Sequence, residues 1–375
     1  MTGVVIFGTR PEAIKLAPVI AGLRRALGAQ AVRAICTGQH GALMGQTLAS
    51  LNLVPDENFD LMLRDQTPST ILRRSLDALE AHFHDRRPDW ILVQGDTAST
   101  LAGAFFGHLA ERPVFHLEAG LRTYDRSAPW PEEGFRQVVG RIAALHLAPT
   151  PRARNHLLAE GVADSDIVVV GNPGLDSQDR MMATTVAPGR DVIPEGPFFL
   201  VTLHRRESLA TRLEATCARL AALLERYPGH TILWPVHPNP AVMRAANLSF
   251  GSGHEAVRLC APLSYPHFLH AQAAARLVIS DSGGVQEEAP SMGTPVAIVR
   301  DKTERQDVIE LGLGRLVGAD AHTMDEAVEA LLAAPPHPDA VAAWRALQGG
   351  GHATAAAVAA IATRLAATQA ARRPA

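Results

Sequence analysis

The stretch Trp90-Ile-Leu-Val-Gln-Gly-Asp96 is an apolar run that ends in a carboxylate, and Pro113-Val-Phe-His-Leu-Glu118 repeats this arrangement further along the chain. Apolar runs of this length, bounded by Pro and Gly, are typical of buried strands in a parallel sheet. Such strands alternate with helical segments along the chain, which predicts an α/β fold. Because the carboxyl ends of the strands form the ligand crevice of an open α/β sheet, we expect Asp96 and Glu118 to lie there.

The first half of the chain carries further charged residues in a loop and in its first strand-to-helix turn. A third carboxylate, Glu132, follows in Pro129-Trp-Pro-Glu-Glu, and grouped carboxylates can move protons or stabilise a cation that develops on a ligand. The first strand-to-helix turn, Gly8-Thr-Arg-Pro-Glu-Ala-Ile-Lys, carries Arg10 and Lys15. Cations gain nothing from the helix dipole at that end of a helix. Their position therefore indicates an anionic ligand, with ordinary solvated surface charge as the alternative.

The second half carries its own binding signature, Ser280-Asp-Ser-Gly-Gly-Val-Gln-Glu-Glu, at the end of an apolar strand. Two glycines allow a phosphate to approach the backbone, the following helix offers amide donors, and Glu287 or Glu288 can accept from ribose hydroxyls. An ordinary turn capped by Ser282 is the alternative interpretation. The first turn lacks Gly-x-Gly-x-x-Gly, so NAD is not predicted.

A histidine follows the first strand of this second half, in Thr202-Leu-His-Arg-Arg-Glu. His204, with two arginines beside it, is suited to bind a diphosphate and to protonate it as it leaves. His82 and His84 lie two apart on a predicted helix and face different sides, so a metal site is not predicted.

The length of 375 residues predicts two domains. We place a Rossmann-like domain at residues 1–175, a second at 176–352, and an Ala-rich helix at 353–375 that packs back on the first domain. A net charge of −3 with scattered cations argues against nucleic acid as a partner, and three widely spaced cysteines suggest neither disulfides nor zinc. No signal peptide or membrane span is evident, so we expect a soluble cytoplasmic protein.

Seven motifs together resemble the non-hydrolysing UDP-N-acetylglucosamine 2-epimerases, in the family's order and spacing. They are Phe7-Gly-Thr-Arg-Pro-Glu-Ala-Ile-Lys, Gly95-Asp-Thr, His116-Leu-Glu-Ala-Gly-Leu-Arg-Thr, Pro129-Trp-Pro-Glu-Glu, His204-Arg-Arg-Glu, Asp281-Ser-Gly-Gly-Val-Gln-Glu-Glu-Ala-Pro and Thr303-Glu-Arg. The resemblance implies two facing Rossmann-like domains of the GT-B type, with the active site in the cleft between them. It also implies a homodimer, and a substrate that is a UDP-sugar with no metal or other cofactor.

The implied reaction interconverts UDP-GlcNAc and UDP-ManNAc by elimination of UDP and its re-addition to a 2-acetamidoglucal. The resemblance assigns UDP contacts to Arg10, His204, Phe268, Ser282, Gly283, Gly284, Glu288 and Arg305. It assigns the surroundings of the sugar and diphosphate to Lys15, Asp96, Glu118, Glu132, Arg136 and His204, with Asp96, Glu118, Glu132 and His204 as the catalytic groups. Which carboxylate removes the C2 proton stays open.

Several positions depart from the family pattern. Phe135 replaces the usual Asn before Arg136, and Gly41-Ala42 replaces a charged pair after Gln39-His40, a region that binds a regulatory UDP-GlcNAc in bacterial members. Gly41-Ala42 weakens the case for allosteric activation, and Phe135 removes a polar group near Glu132. Together with Asn172-Pro-Gly-Leu-Asp and Arg305-Gln-Asp, which also deviate, they leave room for a modified UDP-HexNAc substrate. A hydrolysing epimerase, a UDP-sugar glycosyltransferase and an inactive UDP-sugar sensor are competing hypotheses for the function.

Overall fold

The computed structural model describes residues 1–38, 41–63, 66–203, 213–251, 253–317 and 321–372. The chain divides into two compact units. The first contains Met1–Asp179 together with Ala346–Ala375, and the second contains Arg180–Arg345. Each is built on a parallel sheet flanked by helices, which confirms the α/β class predicted from the alternating pattern.

The sheet of the first unit has seven described strands, and each pairs with its neighbours in parallel. In chain order they are β1 (Gly3–Phe7), β2 (Val32–Cys36), β3 (Glu57–Asn58), β4 (Trp90–Gln94), β5 (Val114–Leu117), β6 (Leu145–Ala148) and β7 (Ile167–Val169). Their order across the sheet is β3-β2-β1-β4-β5-β6-β7. The strand order reverses between β1 and β4, and ligands of such sheets bind at that reversal.

Helices connect these strands. They are α1 (Arg10–Leu27), α2 (Gly41–Ser50), α3 (Pro68–His82), α4 (Ala98–Leu109), α5 (Glu132–Ile142), α6 (Pro151–Ala159) and α7 (Pro173–Thr184). Threonine side chains cap three of them: Thr67, Thr97 and Thr150 each accept a hydrogen bond of 3.2 Å from an amide in the first turn. Each cap satisfies an amide that the helix itself leaves without a partner.

The core of the first unit explains the unbroken apolar runs in its sequence. Every residue of β1 and of β4 is buried, because helices cover both faces of the sheet. Trp90 stacks on Phe115 with ring centroids 5.9 Å apart. A Cβ atom on Gly3 would lie only 1.8 Å from the Trp90 ring, so only glycine fits opposite this indole.

The second unit repeats the topology with six described strands. They are β8 (Phe198–Thr202), β9 (Thr231–Pro235), β10 (Val257–Cys260), β11 (Leu277–Ser280), β12 (Val296–Ile298) and β13 (Gly314–Leu316), in the order β10-β9-β8-β11-β12-β13. The accompanying helices are α8 (Leu213–Arg226), α9 (Pro240–Phe250), α10 (Tyr265–Ala274), α11 (Val285–Ser291), α12 (Gln306–Glu310), α13 (Ala321–Ala333) and α14 (Pro338–Leu347). The order reverses between β8 and β11, which places the second unit's own ligand crevice there.

The last helix, α15 (Ala353–Arg372), belongs to the first unit. The amide of Thr354 donates to the Asp176 carboxylate at 2.6 Å, and Arg364 donates to the carbonyl of Ala144 at 2.8 Å. The chain therefore passes between units inside α7 and α14, at residues 179/180 and 345/346, whereas the sequence placed the divisions at 175 and 352. Among the described helices, none has the length and apolarity needed to span a membrane.

Candidate active site

Two carboxylates follow adjacent strands of the first unit. β4 ends at Gln94, and Asp96 lies two residues later, after Gly95 with its φ of +76°. β5 ends at Leu117, and Glu118 follows directly in the left-handed region, with a φ of +65°. That conformation costs a residue other than glycine about 1–2 kcal/mol. Strain of this kind concentrates at functional sites, so it supports a functional role for Glu118.

Glu118 is held by side chains from two other elements. The ammonium group of Lys15, on α1, lies 2.5 Å from its Oε2 atom, and the two side chains are only 8% and 11% exposed. The amide of Gln94, at the end of β4, donates to the same oxygen. A buried ion pair gains little stability once its desolvation is counted. Its presence at the strand ends therefore favours a role in ligand chemistry.

Asp96 forms a second ion pair, with Arg136 of α5, in which Arg136 is buried and Asp96 is 24% exposed. The guanidinium Nη2 atom of Arg136 lies 2.5 Å from Asp96 Oδ2, and its Nη1 atom donates to Glu133 at 3.1 Å. Glu133 is fully buried and also accepts from the amides of Thr123 and Tyr124, at 3.0 and 3.1 Å. Glu133 thus fixes both Arg136 and the loop before α5. Sequence reasoning missed this role, although the Glu-Glu pair contained the signal.

The third predicted carboxylate, Glu132, is the first residue of α5 and is half-buried. Arg136 lies one turn later on the same helix, and its contact with Asp96 places the start of α5 beside the end of β4. Phe135, the departure from the family pattern, packs against the apolar cluster around Leu79 and Phe106. This position therefore adds to the core and supplies no polar group to the site.

Arg10 is the first residue of α1 and shares that helix with Lys15. Its Nε atom donates to the hydroxyl of Thr47, on α2, at 3.0 Å. This contact orients the guanidinium at the amino end of α1, next to the β1–α1 turn. The first unit therefore places the cations Lys15 and Arg136 against Glu118 and Asp96. Arg10 follows the end of β1, at the start of the helix that carries Lys15.

The predicted phosphate loop of the second unit joins β11 to α11. The amide of Ser282 donates to the hydroxyl of Ser280 at 3.0 Å, which shapes the turn. Gly284 occupies the N-cap position of α11, and no side chain caps this end. The Ser282 cap, the alternative interpretation of this sequence, is therefore not formed.

Arg305 lies directly beneath this loop and is almost fully buried. Its Nε and Nη2 atoms each lie 2.6 Å from Oε1 of Glu287, and its Nη1 atom pairs with Glu304. A Cβ atom on Gly283 would stand 2.9 Å from Arg305 Nη1. The guanidinium therefore supports the glycine turn from below. The buried Glu287 carboxylate pairs with Arg305 inside the protein.

Glu288 is oriented by two donors from α10. Its Oε1 atom accepts from the hydroxyl of Tyr265 and its Oε2 atom from the amide of Gln272, both at 3.0 Å. Phe268 lies between these two residues at helical spacing, so it occupies the same side of α10. The second unit therefore brings the predicted residues Phe268 and Glu288 to one surface.

His204 and the pair Gln39-His40 lie outside the described residues. In the part of the chain that the structure describes, no three His, Cys, Asp or Glu side chains are grouped closely enough to hold a metal ion.

A pair of buried histidines lies just behind the strand ends. His116 on β5 and His146 on β6 are partners in register, and each is only 1% exposed. The His116 Nε2 atom lies 2.8 Å from the carbonyl oxygen of Gly95, the residue before Asp96, so it carries the proton. Burial lowers the pKa of His116 to about 3 and that of His146 to about 4. Both imidazoles are therefore neutral at pH 7.

We expect these histidines to make the first unit acid-sensitive. Their pKa values lie below the unfolded value near 6.5, so the unfolded chain binds more protons and stability falls as the pH drops from about 6.5 towards 4. Each contributes a loss of the order of 2–3 kcal/mol by pH 4.5. Urea unfolding at pH 7 and pH 4.5 measures this loss in the free energy of unfolding. His146→Gln should reduce the pH dependence, whereas replacement of the exposed His84 should leave it unchanged; equal slopes for both variants would contradict the assignment.

Together these contacts give the first unit a compact set of carboxylates and cations, and the second unit a glycine turn beside an oriented carboxylate. The first set can exchange protons and bind anionic oxygens at one place. The second can bind a phosphate at the turn and a sugar hydroxyl at Glu288.

Comparison with known proteins points to one family. The family model described as UDP-N-acetylglucosamine 2-epimerase matches residues 25–362. The UDP-N-acetylglucosamine 2-epimerase of Escherichia coli K12 is 38% identical over 342 residues, which cover 88% of this chain and 90% of that protein.

Solved structures agree with the sequence matches. The UDP-GlcNAc 2-epimerase of Methanocaldococcus jannaschii, in complex with UDP-GlcNAc and UDP, is 30% identical, with a TM-score of 0.87 over 97% of this chain and all of that one. The UDP-GlcNAc 2-epimerase of Neisseria meningitidis, bound to UDP-GlcNAc, is 30% identical, with a TM-score of 0.85 over the same shares. These similarities confirm the resemblance inferred from the seven motifs.

Proposed function

Because the chain belongs to the UDP-N-acetylglucosamine 2-epimerase family, we propose that it interconverts UDP-GlcNAc and UDP-ManNAc by inverting C2 of the sugar. The observation that carries the proposal is the pairing of two carboxylates with two cations, Glu118 with Lys15 and Asp96 with Arg136, at the ends of adjacent strands. Such a set can move protons next to an anionic leaving group.

The order of bond breaking follows from the acidity of the sugar. The hydrogen on C2 is not next to a carbonyl group, so it is a poor acid in the ground state. It becomes acidic as the C1–O bond breaks and positive charge develops at C1. Departure of UDP therefore runs ahead of proton removal, and the product is 2-acetamidoglucal. Re-addition of UDP at C1, with a proton returned to the opposite face of C2, completes the epimerisation.

The carboxylates have a task at each stage. Inversion of C2 requires protons to be handled on both faces of the ring, which needs more than one acid or base. We assign this task to Asp96, Glu118 and Glu132, which also favour the cationic centre at C1 electrostatically. A positioned acid or base typically contributes about 10²–10⁴-fold to a rate.

The cations stabilise the departing diphosphate. Lys15 pairs with Glu118 and Arg136 with Asp96, while Arg10 is the first residue of the helix that carries Lys15. Interactions with UDP that strengthen as the C1–O bond breaks raise kcat and do more than bind substrate. His204 is proposed to protonate the diphosphate as it leaves, on the strength of the family motif alone.

The second unit is proposed to bind the nucleotide. Ser282, Gly283 and Gly284 would receive the phosphates, and Glu288 would accept from the ribose hydroxyls. Phe268 lies on the same helix side as the residues that orient Glu288, which suits it to contact the base. Arg305 is assigned to the UDP site by resemblance, and its position under Gly283 supports a contribution through the shape of the loop.

A modified UDP-HexNAc is the second candidate substrate. The observation that favours it is Phe135, which packs into the core where the family usually carries a polar residue next to the site. Parallel turnover of UDP-GlcNAc and of UDP-HexNAc analogues altered on the sugar would compare the two. If an analogue is turned over faster than UDP-GlcNAc, that analogue becomes the assigned substrate.

One experiment tests the reaction. The protein is incubated with UDP-GlcNAc in deuterated water, and the products are followed by NMR. We expect deuterium to appear on C2 of both UDP-GlcNAc and UDP-ManNAc. The solvent isotope appears because each cycle removes the C2 proton and returns another. Free ManNAc would indicate a hydrolysing enzyme instead, turnover that needs an acceptor would indicate a glycosyltransferase, and binding without exchange would indicate a sensor.

Two further properties are proposed from the family resemblance. A homodimer would show twice the subunit mass of 40.0 kDa in light scattering. A cytoplasmic location agrees with three widely spaced cysteines, and cell fractionation would test it.

A further inference from the structure

Glu12 is a buried carboxylate that joins two turns of the first unit. It lies in the first turn of α1 and is 2% exposed. Its Oε2 atom accepts from the amides of Gly8 and Thr9 at 2.8 and 2.7 Å, within the β1–α1 turn. Its Oε1 atom accepts from the hydroxyls of Thr97, the N-cap of α4 at the end of the β4–α4 turn, and Thr100, in the first turn of α4, at 2.6 and 2.7 Å. One side chain therefore ties together the two turns at the strand-order reversal.

These turns carry the residues to which we assign the chemistry. Asp96 immediately precedes Thr97, while Arg10 and Lys15 belong to the same helix as Glu12. None of the hydrogen bonds that Glu12 makes to described residues goes to these three side chains. Its influence on them therefore passes through the backbone of the two turns.

The surroundings of Glu12 leave little freedom for either turn. A Cβ atom on Gly8 would stand 2.2 Å from the Ser99 hydroxyl and 2.3 Å from that of Thr37, which themselves hydrogen-bond at 2.8 Å. Burial raises the pKa of Glu12, against the hydrogen bonds that lower it. A buried carboxyl group is a poor choice for stability alone, because well-packed apolar groups usually serve as well.

We propose that Glu12 is a positioning residue of the epimerase reaction, which sets the place of Asp96 relative to Lys15 by bonding the β1–α1 turn to the β4–α4 turn. The inference rests on the proposed function. It assigns the effect to the hydrogen bonds of Glu12 and not to its charge. The Gly8 and Thr9 amides need only an acceptor, and the Thr97 and Thr100 hydroxyls can turn to accept a hydrogen bond instead of donating one. Misplacement of a reacting group by about 1 Å can cost about 100-fold in rate.

The test compares two replacements of similar size. In Glu12→Gln, the amide oxygen can accept from the Gly8 and Thr9 amides, while its NH₂ donates to the Thr97 and Thr100 hydroxyls, which turn to accept. We expect this variant to keep kcat within about threefold of the parent enzyme, since both turns stay joined. Glu12→Met removes every bond and should lower kcat about 100-fold with KM changed less than about threefold.

Thr97 provides a second route in case Glu12→Met does not fold. Thr97→Val removes one bond to Glu12 and also the cap of α4, and should lower kcat by about tenfold, with Thr97→Ser restoring it. Thr150→Val is the matched control, since it removes an equal cap bond of 3.2 Å from α6 without touching Glu12. We expect the control to lower the melting temperature and leave kcat unchanged.

The outcomes separate the possibilities. A kcat loss in Glu12→Gln as large as in Glu12→Met would overturn the proposal in favour of a charge effect. A full-rate Glu12→Met or a full-rate Thr97→Val would overturn it outright, and so would a rise in KM without a fall in kcat. An inactive parent enzyme would refute the proposed epimerase function. An active parent whose Glu12 and Thr97 variants keep the parent kcat would refute only the role of Glu12.

Discussion

Asp96→Asn is expected to lower the rate of epimerisation by at least about tenfold, towards the 10²–10⁴-fold that a positioned acid or base contributes. Asparagine keeps the size of the side chain and an oxygen near Arg136, but it cannot take or return a proton. Arg136 stays in place through its second bond, to Glu133 at 3.1 Å. UDP binding should survive, because the variant keeps the cations assigned to the diphosphate and the nucleotide-binding groups assigned to the second unit. Steady-state kinetics and UDP calorimetry measure both quantities.

A carboxylate elsewhere in the first unit provides the control. Asp164 pairs with Arg154 at 2.6 Å, but its side chain is 64% exposed and far less constrained. A surface pair of this kind is worth about 0–1 kcal/mol, so Asp164→Asn should leave both the rate and UDP affinity unchanged. Undiminished epimerisation by Asp96→Asn would remove Asp96 from the mechanism, and loss of UDP binding would reassign it to substrate binding.

The fold was largely predictable because its signals are local and repeated. Fully buried strands such as β1 and β4 leave unbroken apolar runs, and the residues after them mark the crevice without any knowledge of the rest. The boundary between the two units was harder to predict, because α7 and α14 continue through it. Hydrophobic periodicity identifies a helix but does not show which residues of that helix pack against which unit.

Contacts between the predicted site residues were harder to predict than the strand-end positions of Asp96 and Glu118. The pairing of Lys15 with Glu118 joins residues that are far apart in sequence, and neither local motif predicts the other residue as its partner. In sequence, Glu133 and Glu12 are only neighbours of the predicted functional residues, yet each accepts from two backbone amides inside the protein. Such roles depend on which donors the tertiary fold brings to a carboxylate, and hydropathy patterns carry no record of this.

In the second unit, Glu288→Gln is expected to weaken UDP binding by about 10–100-fold. Tyr265 and Gln272 each donate to one carboxylate oxygen at 3.0 Å, so the side chain is already oriented before nucleotide arrives. The glutamine retains the shape but loses the charge, and a hydrogen bond to a charged group contributes about 1.5–3 kcal/mol. It also brings its own NH₂ group against the donor of Gln272. Calorimetry with UDP measures the change in Kd.

Two companion variants decide whether the effect belongs to Glu288. Tyr265→Phe removes one orienting bond while the carboxylate remains, so we expect a loss of only about threefold in UDP affinity. Glu329→Gln alters an exposed carboxylate that pairs with Arg226 at 2.6 Å, and affinity should stay as it was. Ordinary UDP affinity in Glu288→Gln would move the ribose contact to another residue. A loss in Tyr265→Phe as large as in Glu288→Gln would instead make the orientation of the carboxylate, and not its charge, the source of binding.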